Sequence, residues 1–430
     1  VPVFIADAKG DLSGRANSAS DTERFKKRLE TIGLNDYSAS ASPTVFWDIF
    51  GENGHPVRTT ISEMGPLLIS HLLELNDTQT GVVYSCFKFA DDNGMLLLDL
   101  KDLRSMLTWV GNNAKQLRSE YGNISSASIG AIQRRLLVLE EQRAEHFFTE
   151  PAVALADFMQ VDFSGRGVIS ILDAVDLIAK SPRLYSTFLL WLLSELYENL
   201  PEKGDADKPE LVLFFDEAHL LFDEAPKVLL DKVEQIVRLI RSKGVGIYFI
   251  TQSPLDIPDD ILGQLGLRIQ HVLRAFTPKD LKTVKAVAEN FRSNPNIDVA
   301  TAITELEIGE ALVSVLDKKG APTPVERILI RPPESQIGPL EQAERQQRIK
   351  KSPLSGRYDD VLDRESAYEL LKARAEEKAK EVESTPKRKP GRQRQGVGEA
   401  FIKSAARSVG RQVGRQIIRG ILGSFFGGRR

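Results

Sequence analysis

Short continuous apolar runs, bounded by turn-forming residues, alternate along the chain with longer stretches of helical period. Residues 1–6 read as a buried strand that ends in the polar turn Asp7-Ala8-Lys9-Gly10-Asp11. Further strands are predicted over 44–49, 167–172, 211–215 and 246–251. The run Leu211–Phe215 is too short for a helix and apolar at every position, as a parallel strand buried on both faces requires. Helical patterning covers 18–32, 62–75, 95–108, 129–143, 184–199, 226–242 and 278–291, and residues 310–316 and 325–330 read as a hairpin-like pair. Residues 51–55 and 201–209 read as loops, and 341–383 as a charge-dense helical segment, solvated or coiled.

This order predicts an α/β fold with a doubly wound, mostly parallel sheet. Its organisation is expected to be a core over 1–75 and 161–335, interrupted by a mostly helical insertion at 76–160. A charged helical segment and linker at 336–395 and a basic tail at 396–430 follow. A central strand with no βα unit before it leads to the expectation that part of the fold lies upstream of residue 1.

The length of 430 residues suits two to three domains. A hydrophobic share of 42% and a charged share of 27% exclude collagen-like and wholly disordered classes. No apolar stretch approaches the roughly 20 residues that span a bilayer. A single cysteine, Cys86, excludes a disulfide framework and a cysteine-clustered zinc site. Five histidines without HExxH spacing argue against a zinc hydrolase. A reducing cytoplasmic location is the default expectation.

Charge changes the picture at one end. Residues 386–430 carry twelve Lys or Arg against one acid, Glu399, so this segment is +11 and the rest of the chain −14. Arg407, Arg411, Arg415 and Arg419 recur every four residues, opposite Val409, Val413, Ile417 and Ile421. That spacing describes a cationic amphipathic helix, weakened by Gly410, Gly414 and Gly420. Its expected partner is anionic, a nucleic acid or a membrane surface, or else the ring of which it is part.

The strongest chemical signal is the apolar run 211–215 followed by Asp216-Glu217-Ala218-His219. Two carboxylates at the carboxyl end of a parallel strand stand where such sheets bind ligands. In nucleotide hydrolases the first acid of such a pair belongs to the Mg²⁺ shell and the second polarises the attacking water. The bland alternative is that both acids cap the next helix. The neighbouring strand ends in Thr251-Gln252-Ser253-Pro254, which offers a polar amide at the adjacent tip, although Gln252 by itself reads equally as a turn residue. Arg238 and Arg241 precede that strand, while Arg268 and Arg274 follow it. Any of them is a candidate for transition-state charge on phosphate, against the commoner role of a surface arginine. No G-x-x-x-x-G-K-[ST] phosphate loop occurs in the 430 residues, so little or no nucleotide binding is expected from them alone.

Together, Phe4-Ile5-Ala6-Asp7-Ala8-Lys9-Gly10-Asp11-Leu12-Ser13-Gly14, residues 56–66 (PVRTTISEMGP), Phe214 through Leu221, residues 251–254 and Leu273-Arg274-Ala275-Phe276-Thr277-Pro278 resemble the HerA-like ATPases of the HerA/FtsK superfamily, most closely the bacterial YjgR-type branch. The resemblance implies a RecA-like motor domain, a hexameric ring, and the use of ATP and Mg²⁺. It implies Asp216 as the metal ligand, Glu217 as the catalytic acid and Gln252, beside Thr251, as the sensor. It also implies Asp7 and Asp11 as an acidic strand-tip motif beside the nucleotide, Arg241 as the arginine finger and Arg274 as a second candidate. The departure is the absent phosphate loop, which in the family lies just upstream of the Asp7 strand. DNA is the expected substrate of such a motor; protein, as in type IV secretion, and a non-enzymatic docking scaffold are the alternatives.

Overall fold

The computed structural model describes residues 1–204, 206–223 and 225–384. The basic tail and the linker before it lie outside the described residues. The described residues divide into two compact units, one made of 1–47, 155–182 and 192–352, the other of 48–154, 183–191 and 353–384.

The apolar runs become strands because each is long enough to cross the core and too short for a helix. β1 (Val3–Asp7), β2 (Thr44–Asp48), β3 (His55–Pro56), β4 (Ile169–Asp173), β5 (Leu211–Phe215) and β6 (Val245–Phe249) form one sheet in the order β3-β2-β4-β1-β5-β6. β1 is parallel to both of its neighbours, β4 and β5, and β5 is parallel to β6. This is the mostly parallel α/β sheet expected from the sequence. The central position explains the composition of β1, in which Phe4 and Ala6 have no exposed surface.

The differences from expectation are local. β3 falls at the end of the predicted loop 51–55; two residues give no alternation from which to read a strand. A second, antiparallel sheet joins β7 (Arg268–Gln270), β8 (Glu310–Ser314) and β9 (Glu326–Leu329), so the predicted hairpin pair gains a third strand. The helix expected to begin at residue 95 begins at Leu100, because Asp99 caps it in a reciprocal box with Asp102. The charge-dense stretch forms the helices Gln342–Lys351 and Ala367–Ser384 and is not wholly solvated, since Arg345, Leu354 and Tyr358 are buried.

β6 ends the large sheet, and no strand pairs with its outer edge among the described residues. Tyr248 stacks on Phe214 at 4.6 Å, yet it keeps 38% of its surface exposed, and Ile250 keeps 45%. An apolar edge of this kind is what proteins ordinarily cover.

In the second unit, helices such as Asp77–Asp92, Leu100–Asn112 and Ser126–Glu141 bury Val83, Cys86, Leu103, Leu107, Ile132 and Leu136. The segment after residue 353 closes on them through polar contacts. The Asp102 carboxylate accepts from Leu98 N (2.8 Å), Tyr368 N (2.8 Å) and Ser366 Oγ (2.6 Å), and Arg58 donates to the carbonyls of Tyr358 (2.7 Å) and Asp360 (3.2 Å).

Candidate active site at the carboxyl edge of the sheet

Parallel pairing fixes the site. Ala6 is opposite Phe215, and Phe215 is opposite Phe249, so the residues just beyond these three strands end up side by side. Backbone bonds continue the pairing past the strands, with Ile250 N donating to Phe215 O and Ala218 N to Ile250 O, both at 2.9 Å. The segment carrying Asp216 and Glu217 is thereby held against the segment carrying Thr251 and Gln252.

Glu217 has left-handed backbone angles, φ 48° and ψ 47°. Such a conformation costs a residue with a Cβ about 1–2 kcal/mol and persists where the surroundings enforce it. It precedes a short helix, Ala218–Leu221, but its side chain makes no cap hydrogen bond to it. The helix-capping alternative therefore fails for Glu217. Its carboxylate instead receives Gln252 Nε2 at 3.4 Å on Oε2, with His219 Nδ1 3.5 Å from the same oxygen and Lys9 Nζ 3.6 Å from Oε1.

Asp216 accepts the Glu217 N–H on Oδ1 at 3.0 Å. Burial pushes its carboxyl above the ordinary value. The Glu217 N–H and the Lys9 ammonium oppose the rise, while the charges of Glu217 and Asp11 reinforce it. A half-buried carboxylate facing other acids is the environment a divalent cation would relieve. No cluster of three or more candidate ligands exists among the described residues. A magnesium ion that keeps water and phosphate oxygens needs only one or two carboxylates, so the donor set fits.

Asp7 is turned inward. Its oxygens accept from Lys9 N (3.3 Å), Gly10 N (2.8 Å) and Leu12 N (3.0 Å), and burial pushes its carboxyl upward against these three bonds. It shapes the loop that carries Lys9 and the exposed Asp11. Gly10 is required there: φ is +75°, and a Cβ would lie 3.1 Å from Val175. Thr251 donates to Asp256 Oδ2 at 2.7 Å, within the cap of the next short helix.

The arginines lie elsewhere. Arg241 belongs to the turn of helix Ile240–Lys243 that precedes β6, at the amino edge of the sheet. The length of β6 separates it from Gln252. Arg274 is exposed, between β7 and the helix Pro278–Glu289. Lys9 and His219 are the residues that sequence reasoning passed over; both stand inside quoted motifs, but nothing in their spacing marks them as partners of Glu217.

The family described as "Helicase HerA-like C-terminal" matches residues 1–390 and again 379–430. The chain belongs to the HerA-like C-terminal helicase family. Among curated relatives, the DNA double-strand break repair helicase HerA of Sulfolobus acidocaldarius is 28% identical over 142 residues, 33% of this chain and 26% of that protein. A probable helicase of Methanocaldococcus jannaschii is 29% identical over 125 residues, 28% of this chain and 22% of that protein. The matched regions thus span about a quarter of these relatives' lengths. Among solved structures, the conjugative coupling protein TrwB (14% identity, TM-score 0.45, 78% of this chain and 87% of that one) and VirB4 of Thermoanaerobacter pseudethanolicus (15% identity, TM-score 0.46, 80% and 83%) also match. Among the described residues no helix is long and apolar enough to cross a membrane.

Proposed function

We propose that this HerA-like chain carries the hydrolytic half of an ATP-driven motor that assembles as a hexameric ring and translocates on DNA without sequence specificity. The reading rests on one observation, the carboxylate of Glu217 held at the carboxyl edge in a left-handed conformation and facing Gln252. In this reading Glu217 accepts a proton from the attacking water and Gln252 orients that water. Asp216 holds Mg²⁺, which when bound offsets the negative charge of the phosphate oxygens. Asp7 and Asp11 set the loop beside the nucleotide, and the nearby Thr251 steadies the Gln252 turn.

Arg241 stands at the far edge from its own chain's Glu217, so its role in this scheme is to reach the nucleotide of a neighbouring copy. Arg274 is the second candidate for that role. No G-x-x-x-x-G-K-[ST] loop occurs in these 430 residues, and the open outer edge of β6, with Tyr248 and Ile250 exposed, is where a further parallel strand would pair. DNA is favoured over polypeptide by the similarity to the DNA double-strand break repair helicase of Sulfolobus acidocaldarius. The basic tail would add a contact to nucleic acid or to a membrane surface, and the protein would work in the cytoplasm.

The test uses the full-length protein containing a phosphate loop. ATP turnover is expected to depend on Mg²⁺, to rise with double-stranded DNA and not with polypeptide, and to disappear in Glu217→Gln. Turnover unchanged by that substitution refutes the proposal.

A further inference from the structure

We infer that Lys9 is a nucleotide-sensing residue, which pairs with Glu217 when the site lacks a terminal phosphate and transfers its ammonium to that phosphate when ATP is bound. The inference rests on the ATPase reading above and adds to it a device for coupling occupancy to the state of the catalytic carboxylate.

Three observations carry it. The backbone around Lys9 is fixed, because the Asp7 carboxylate gathers the amides of Lys9, Gly10 and Leu12. The side chain is not fixed: it is 63% exposed and meets Glu217 at 3.6 Å, a long separation for an ion pair. Glu217, in contrast, is 16% exposed and aimed by its backbone. A long ion pair whose lysine is largely exposed contributes little to stability and is easily exchanged.

A terminal phosphate brings more negative charge than one carboxylate, and lysine is a compact point charge on a flexible stem. At the tip of β1, the strand next to β5, the ammonium can move from one anion to the other without a change in the loop. Once it has moved, Oε1 of Glu217 is released to accept from water, while Gln252 and His219 still steady Oε2. ADP lacks the terminal phosphate and leaves the pair intact. The device therefore favours ATP over ADP and restrains the carboxylate in the empty site.

The experiment measures the affinities of full-length wild type, Lys9→Met and Lys9→Arg for a non-hydrolysable ATP analogue and for ADP, with thermal melting as a check on folding. Lys9→Met is expected to lose about tenfold in affinity for the ATP analogue, the size of one half-exposed charge contact. Its ADP affinity and melting temperature are expected to match wild type, and Lys9→Arg to restore most of the preference for ATP. Equal loss for both nucleotides, or no loss for either, overturns the inference. Glu217→Gln separates the two levels. If it binds nucleotide without turnover while Lys9→Met equals wild type in both affinities, the ATPase reading stands and the role of Lys9 falls. If Glu217→Gln turns over normally, both fall.

Discussion

Asp7 and Asp173 are register partners at the ends of the parallel strands β1 and β4, and their carboxylates are held by different means. Asp7 folds onto backbone amides of its own loop, the closest being Gly10 N at 2.8 Å. Asp173 is bound through Oδ2 by Arg345 Nη2 at 2.9 Å, with both side chains almost wholly buried and the guanidinium 5.0 Å from the Phe46 ring centre. One acid shapes the candidate site, and its neighbour anchors the helix Gln342–Lys351 to the same sheet.

Arg345→Met leaves a buried carboxylate without its counter-charge, so a loss of about 3–5 kcal/mol is expected. The double variant Arg345→Met/Asp173→Asn is expected to recover most of it. Chemical denaturation of the four proteins in the cycle measures the coupling. Additive losses would show that the pair does not hold the helix.

Asp216 gives a pH dependence with a definite sign. Burial raises its folded-state value above the ordinary one of about 3.8, so between the two values the folded protein binds more protons than the unfolded chain. The group's contribution to stability is full below the ordinary value and is lost as pH rises through the raised one. Asp216→Asn removes this loss. In Mg²⁺-free buffer its denaturation midpoint is expected to gain on wild type as pH rises above the ordinary value of 3.8. A constant difference across that range would contradict the burial argument.

Glu217→Gly relieves the left-handed strain at φ 48° and is expected to leave the protein as stable as wild type, or up to about 1 kcal/mol more stable, while abolishing turnover in the full-length protein. Melting temperature and ATPase rate together check this. A destabilised Glu217→Gly would mean that the side chain's contacts, rather than function, hold the conformation.

Arg241 at the far sheet edge predicts complementation. Full-length Arg241→Ala and Glu217→Gln are each expected to be inactive, and mixing them is expected to restore part of the turnover, because some interfaces then pair an intact arginine with an intact glutamate. Mixtures as inactive as the parents would exclude action between copies.

Cys86 has no exposed surface, and burial pushes its thiol up to about 12. Alkylating reagents are expected to leave it unmodified in the native protein and to label it fully in denaturant, as mass spectrometry would show. Labelling under native conditions at the rate of a free thiol would place the helix Asp77–Asp92 in a locally open state.

The apolar runs of β1, β5 and β6 were legible because each is a short continuous run too short for a helix and bounded by polar residues. The same logic marked Asp216, Glu217 and Gln252, since the first polar residues after such strands must emerge at the sheet's edge. Short strands were not legible: β3 and β7 have two and three residues, too few to show a period. The burial of Arg345 was also hidden, because a charged side chain in a charge-dense stretch looks solvated until its partner, far away in sequence, is known.

Sequence by itself determined the class of fold and the acids at its edge, because local hydrophobic patterning encodes both. Tertiary structure alone decided the strand order, the inward turn of Asp7, the left-handed backbone of Glu217 and its meeting with Lys9 and His219. Those features depend on which strand ends become neighbours, and chain-distant pairing leaves no local signature.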